Sequence, residues 1–311
     1  MNDPLLAIIQ AALVLGLAPL VTGFIRKVKA LLQSRRGPPI LQPYYDLQKL
    51  FRKSSVVSSD ASWISAITPY VCMSAMVVAA LLVPVFITAS FGSLGDLIVV
   101  VYLFATARFF MALAALDAGS TFGGMGSSRE MMISSIIEPA ILLSIFSAAL
   151  ITGTTNLAGI SQVLVAGGYD LVRPTLFLAF AAFFIATLAE NARIPFDNPS
   201  THLELTMIHE AMLLEYSGKK LALMEMASMT KLVLFIAIAW SAFFPFGMAT
   251  EAAILPITIG LVAFLAKLLL FALAIAFIES SMSKMRLFRL PNLLTGSFIL
   301  AFLAVMSFYI L

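Results

Sequence analysis

Ala189-Glu190-Asn191-Ala192-Arg193-Ile194-Pro195-Phe196-Asp197, followed later by Glu215-Tyr216-Ser217-Gly218-Lys219-Lys220, interrupts a chain otherwise made of long apolar runs. Residues 190–225 carry six carboxylates (Glu190, Asp197, Glu204, Glu210, Glu215 and Glu225), three basic residues and both histidines of the protein. Charge set between apolar spans must find water or a protein partner, because an ionised group left in hydrocarbon is costly. The density of charge here points to a partner.

Of the 311 residues, 61% are hydrophobic and 11% charged, against about 25% charged in a soluble globular domain. The sequence therefore predicts an all-α integral membrane protein, one transmembrane domain over residues 1–311. About 20 apolar residues cross the hydrocarbon core, and eight runs qualify: 5–25, 67–88, 97–116, 131–152, 174–189, 226–246, 252–278 and 293–311. The first reads as a retained span, being too long for a signal peptide and lacking a basic leader. The fifth is short and is expected to recruit the start of the loop after it. Pro19, Pro69, Pro84, Pro139 and Pro256 lie in or near spans and predict kinks. No repeat beyond hydropathy relates the two halves, which argues against an inverted-repeat transporter.

Lysine and arginine set the orientation. In an eight-span arrangement fifteen of them fall on one side and only Arg173 on the other. That asymmetry assigns the rich side to the cytoplasm, with both termini outside. A basic cytoplasmic loop then covers 26–62 and an acidic one 190–225, between spans five and six. In the first loop, Arg35-Arg36-Gly37-Pro38-Pro39 ends a helix. Residues 44–53 then form a short amphipathic helix, with Tyr44, Leu47, Leu50 and Phe51 on one face and Asp46, Lys49 and Lys53 on the other. Such a helix lies at anionic headgroups or serves as a docking shelf, and its pattern leaves both open. In the second loop, Asn198 is placed to cap a helix starting at Pro199, with Gly218 closing it.

Three charges fall inside spans: Arg108, Glu138 and Lys267. Each costs roughly 2.5–3.5 kcal/mol at a helix centre on insertion scales, so they should turn inward and pair, Arg108 with Glu138 first. Lys231, close to a span end, is expected to snorkel. Asp117, Glu130 and Glu190 extend an acidic line toward the cytoplasm. It is either a proton relay or a static interhelical ion pair with acidic neighbours.

Several chemistries are absent. His202 and His209 share a face but have no third ligand at metal-binding spacing, and no metal site is assigned. The single cysteine, Cys72, cannot build an iron–sulfur cluster, and no histidine within a span offers haem ligation. No phosphate loop or nucleophile–base pair is present. Any redox cofactor must belong to other subunits.

The motifs resemble a known family. Arg35-Arg36-Gly37-Pro38 with Leu41-Gln42-Pro43, and Gly126…Arg129 followed by Glu138, are similar to the membrane subunit shared by respiratory complex I (subunit 1 in mitochondria) and energy-converting nickel–iron hydrogenases. So, most distinctively, is the 189–197 stretch with Glu215-Tyr216-Ser217-Gly218. Leu116-Asp117-Ala118-Gly119-Ser120, Ser128-Arg129-Glu130 and Glu279-Ser280-Ser281-Met282 resemble the hydrogenase branch, including formate hydrogenlyase. The altered run Asn198-Pro199-Ser200-Thr201-His202 and Ile136-Ile137 depart from complex I near its quinone chamber, so no quinone is assigned. The resemblance implies an anchor beneath an iron–sulfur small subunit and a nickel–iron large subunit, beside antiporter-like membrane subunits. It implies a bacterial or archaeal cytoplasmic membrane and charge coupling by Glu138, Glu190, Glu204, Glu210 and Glu215, to which the charges read within and beside the spans add Arg108, Asp117, Glu130 and Lys267. Docking would fall to Arg35, Arg36, Asp46, Lys49, Arg193, Asp197, His202 and His209. The competing expectations are a quinone-chamber subunit of a complex I relative and a stand-alone ion transporter.

Overall fold

The computed structural model describes residues 3–56, 58, 61–88, 95–168, 173–197, 207–251 and 253–310. Among these described residues ten α-helices follow one another: α1 (Asp3–Leu32), α2 (Gln42–Arg52), α3 (Trp63–Leu82), α4 (Leu97–Asp117), α5 (Thr121–Thr152), α6 (Leu157–Gly167), α7 (Pro174–Glu190), α8 (Gly218–Phe243), α9 (Ile254–Ser281) and α10 (Leu290–Ile310). Among the described residues, seven are long and apolar enough to cross a membrane. At 17 residues α7 is shorter, about 26 Å at 1.5 Å per residue against a core of about 30 Å. Its deficit is met as expected: Ile194, Phe196 and Asp197, just beyond its end, are buried. The chain is thus an all-helical, multi-pass membrane protein.

Boundaries shift where the sequence gives a capping or breaking signal that hydropathy ignores. α5 begins ten residues before the apolar run, because the Ser120 hydroxyl accepts from Gly123 N–H and starts the helix there. α3 stops at Leu82, since Pro84 disfavours helical backbone in the residue before it. The extended segment beyond is held by buried Gln10, whose Oε1 accepts from Val85 N–H at 2.7 Å and Phe86 N–H at 3.2 Å. α6, too short to count as a span, is nucleated by Asn156, whose side chain accepts from Ala158 and Gly159 N–H.

The centre is aromatic and aliphatic. α8 runs through the middle of the bundle, with Leu232 to Ala239 continuously buried. Phe183 on α7 stacks on Phe235 of α8 at 5.8 Å between ring centres, and Phe104 of α4 meets the same ring at 4.8 Å. α10 packs against α5 and α7, α3 against α4, and α1 against α8 and α9. α2 matches the predicted amphipathic helix and lies against α1 and α8. Pro43 and Leu47 are buried there, whereas Phe51, expected on the inner face, is 40% exposed.

The expected helix closed by Gly218 is not found in its described part. Residues 207–217 form a single 3-10 turn at Glu210–Met212 with turns around it, and Asn198 and Pro199 lie outside the described residues. Gly218 opens α8 instead. The Tyr216-Ser217-Gly218 motif is a joint to the segment between α2 and α3. Tyr216 donates to the Ser65 carbonyl at 3.1 Å, and the Ser217 hydroxyl exchanges hydrogen bonds with the Val56 backbone at 2.8 and 3.0 Å. Gly218 has φ +54°, and a Cβ there would overlap the Ser54 carbonyl oxygen. Gly218→Ala combines a left-handed backbone penalty with that clash and should destabilise the fold by about 1–3 kcal/mol. Thermal unfolding in detergent measures it, and an unchanged midpoint would contradict this joint.

Candidate charge-coupling site

Four helices bring charge to one place in the bundle. Arg108 of α4 is 4% exposed. Its Nη2 lies 3.1 Å from Glu138 Oε1 on α5 and 3.3 Å from Glu190 Oε1 at the end of α7. Lys231 of α8 places Nζ 2.6 Å from the same Glu190 oxygen and donates to the Glu190 carbonyl at 2.9 Å. Lys231 therefore does not snorkel, because a buried carboxylate and a free helix-end carbonyl offer it better partners than the headgroup layer. Glu130, also buried, sits eight residues before Glu138 on α5, within electrostatic range of Glu190, Lys231 and Arg108.

The two carboxylates that share Arg108 differ in surroundings. The Glu190 side chain is 1% exposed and that of Glu138 38%. Glu138 opens sideways from the middle of a span, along a face that also shows Met131 and Phe146. Arg108 Nε and Nη1 are buried without a hydrogen-bond partner among the described residues. They border a cavity of about 30 Å³ lined also by Cys72, His209, Ser228 and Lys231, room for a water or two at roughly 15 Å³ each.

A second group fixes the 189–197 stretch at the membrane end where the basic residues gather. Glu279, near the end of α9, lies 3.2 Å from Lys29 Nζ of α1 and 3.3 Å from Arg193 Nη1. Asp197 lies 2.6 Å from Lys284 Nζ and accepts from the N–H groups of Ile208 and His209 at 3.1 and 3.2 Å. Arg129 donates to the Met207 carbonyl at 2.8 Å. Gly126 lets the 208–212 segment lie against α5, since a Cβ there would meet Ala211 Cβ at 2.8 Å. The loop is thus laced to α5, α9 and the residues beyond α9, which carries His209 to the cavity beside Arg108.

Burial holds the His209 imidazole below its usual value, reinforced by the nearby Lys231 charge. Burial pushes the Glu210 carboxyl above its usual value, partly offset by His209. Tyr216, desolvated at the joint, is pushed up to about 12 and stays a neutral donor.

The structure collects Arg108, Glu130, Glu138, Glu190 and His209, and places Arg193 and Asp197 in the adjoining clamp. Others lie elsewhere. Asp117 accepts from Ser62 N–H at 2.9 Å and from the Ser65 hydroxyl at 2.6 Å, capping the start of α3. Lys267 donates to the Phe244 and Phe246 carbonyls at 2.7 and 2.6 Å, at the far end of α8, with its ammonium 5.5 Å from the Trp240 ring centre. Glu210 lies next to His209, and Glu215 is exposed. Arg35, Arg36 and Lys49 are exposed, and Asp46 pairs within its helix with Gln42 at 2.8 Å. Glu204 and His202 lie outside the described residues. Lys29, Lys231, Glu279 and Lys284 belong to the two groups, but sequence reasoning gave none of them a coupling or docking role: it expected Lys231 to snorkel and used Glu279 only as part of a family motif. A carboxylate near the end of the apolar α9 run was the available signal for Glu279. Among the described residues, no three His, Cys, Asp or Glu side chains converge as metal ligands.

A helical bundle with a paired ionic cluster inside it and a charged loop laced over one end is the architecture of a multi-pass membrane protein. Residues 5–310 match the family model described as NADH dehydrogenase, and the chain belongs to that family. It is 38% identical to hydrogenase-4 component C of Escherichia coli strain K12, over 96% of this chain and 93% of that protein. It is 36% identical to formate hydrogenlyase subunit 4 of the same strain, over 96% and 97%. A chain of the membrane-bound sulfane sulfur reductase, an archaeal respiratory membrane complex, shares the fold with a TM-score of 0.86 at 22% identity, over 99% of both chains.

Arg108→Met leaves Glu190 with one cation in place of two and should destabilise the chain by about 3 kcal/mol, whereas Glu138→Gln should change stability by less than about 1 kcal/mol. Combining Arg108→Met with Glu138→Gln, which removes the carboxylate left without a cation while Lys231 still pairs with Glu190, should recover part of the loss. Equal costs for the two single variants in thermal unfolding would contradict the assigned burial. For His209, whose folded value is lowered, stability is full above its usual 6.5 and falls as the pH drops through that region. His209→Gln should flatten that decline. Glu210, with a raised value, acts oppositely: stability falls as the pH rises from its usual 4.5, and Glu210→Gln should remove that fall.

Proposed function

We propose that the chain is the membrane anchor and coupling subunit of a membrane-bound nickel–iron hydrogenase-type complex. It binds no redox centre itself. An iron–sulfur small subunit and a nickel–iron large subunit supply the electron chemistry above it, and antiporter-like membrane subunits lie beside it. The two curated relatives matched almost end to end are components of a hydrogenase and of formate hydrogenlyase, which supports the hydrogenase branch over a quinone-reducing relative.

The observation that carries the coupling reading is the sharing of Arg108 between enclosed Glu190 and laterally open Glu138. A carboxylate 38% exposed in the middle of a span is expensive against lipid and suits a hydrated face of a second membrane subunit. When Glu138 takes a proton, the Arg108 charge is left to Glu190. When Glu138 loses it toward its open side, Arg108 is shared again. Lys231 keeps its contacts with Glu190 through both states, and the cavity at His209 offers the entry side. The fifteen-to-one distribution of lysine and arginine supports turning this entry, the Arg35–Arg36 loop and the 189–197 stretch toward the cytoplasm. Exposed Arg35, Arg36 and Lys49 form the docking face there.

In the purified complex, formate or reduced ferredoxin should drive hydrogen evolution. Inhibitor-sensitive quinone reduction without hydrogenase activity would reject the hydrogenase reading in favour of the complex I type. Ion flux from this chain alone in liposomes would instead make it a transporter. Glu138→Gln should leave assembly and hydrogen evolution in detergent intact while reducing the ion gradient formed in vesicles roughly tenfold or more. An undiminished gradient would remove Glu138 from the path.

A further inference from the structure

The corner between α9 and α10 carries features that the coupling site does not use. Residues 287–289 form one 3-10 turn, closed by Arg289 N–H donating to the Arg286 carbonyl at 2.9 Å. Both arginine side chains are exposed and neither forms an ion pair among the described residues. Between them Phe288 is 91% exposed, while Leu290 beside it is 1% exposed. The turn therefore sends one aromatic ring and two guanidinium groups outward together. A recess bordered by Ser281, Lys284, Arg286 and Arg289 lies beneath them. Its wall is anchored: Lys284 pairs with Asp197 at 2.6 Å and Met285 N–H donates to the Pro195 carbonyl at 3.0 Å.

From this recess a stripe runs down α9. Leu270, Leu273 and Phe277 are 59%, 46% and 63% exposed, and with Ser281 they follow the three- and four-residue spacing of one helix face. A pair of arginines at the membrane border, continuous with an apolar stripe along a span, matches an amphiphile with an anionic head and a hydrocarbon tail. We infer that the α9–α10 corner binds an anionic phospholipid, with Arg286 and Arg289 on the phosphate and Leu270, Leu273 and Phe277 along an acyl chain. Guanidinium groups suit phosphate oxygens by their planar, bidentate geometry. Phe288 enters the headgroup layer, where aromatic rings on a basic surface anchor to membranes. An acidic segment of a partner protein would satisfy the arginines but not the stripe below them.

The test uses the full-length chain in mild detergent, titrated with phosphatidylglycerol or phosphatidylcholine and followed by native mass spectrometry. Phosphatidylglycerol should bind the unaltered protein more tightly. Arg286→Gln with Arg289→Gln should weaken that binding roughly 30-fold, the factor expected for two basic residues at an anionic surface. Arg286→Lys with Arg289→Lys should keep most of it, and Leu273→Asn should weaken it without abolishing lipid selectivity. Equal binding of the two lipids by the unaltered protein overturns the inference whether or not the variants fold. So does inorganic phosphate competing as well as the intact lipid, or an assembled complex in which partner subunits cover the corner and no phosphatidylglycerol is retained.

Discussion

A guanidinium enclosed in an apolar bundle is tolerable only where carboxylates surround it, and Arg108 is the point from which that requirement spreads. It needs Glu190, so α7 must end beside α4. Glu190 in turn takes Lys231, which fixes the rotation of α8. The remaining capacity of Arg108 faces Glu138, which ties α5 into the same arrangement. Four helices are thus set by the pairing of two cations with two carboxylates, while Phe104, Phe183 and Phe235 fill the space next to them. Apolar side chains alone would pack these helices in many rotations. Unpaired charge in a low dielectric rules out most of them.

The loop after α7 has a different physical logic. A polar segment at the edge of a membrane bundle is free to hydrate unless it is held, and this one is held by charge near its start. Glu279 bridges Lys29 and Arg193, and Asp197 takes both a lysine and two backbone N–H groups. Gly126 then allows the following segment to approach α5 closely enough for His209 to reach the cavity by Arg108. The clamp therefore links the exposed loop surface to the enclosed cluster through a few short, charge-assisted contacts. Displacing the clamp would alter the surroundings of Arg108 by that route.

Membrane residence and the succession of long apolar helices follow from composition and run length, because hydrocarbon thickness imposes them residue by residue. The amphipathic helix before α3 and the pairing of Arg108 with Glu138 were legible for the same reason: a local period and an isolated charge each leave few options. The motifs at 35–38, 126–138 and 189–197 carried enough detail to identify the family.

What tertiary structure decided concerns partners far apart in the chain. Lys231 could have reached the headgroups by its length alone, and only the nearness of Glu190 turned it inward. Asp117 looked like part of an acidic line, yet it caps α3, because the α3–α4 packing brings Ser62 and Ser65 to it. Gly218 has the character of a helix stop, but the Ser54 carbonyl against which it rests makes it a helix start. Sequence registers the cost of placing each charge or glycine where it stands. Which group removes that cost depends on separations in space, and those exist only once the helices have packed.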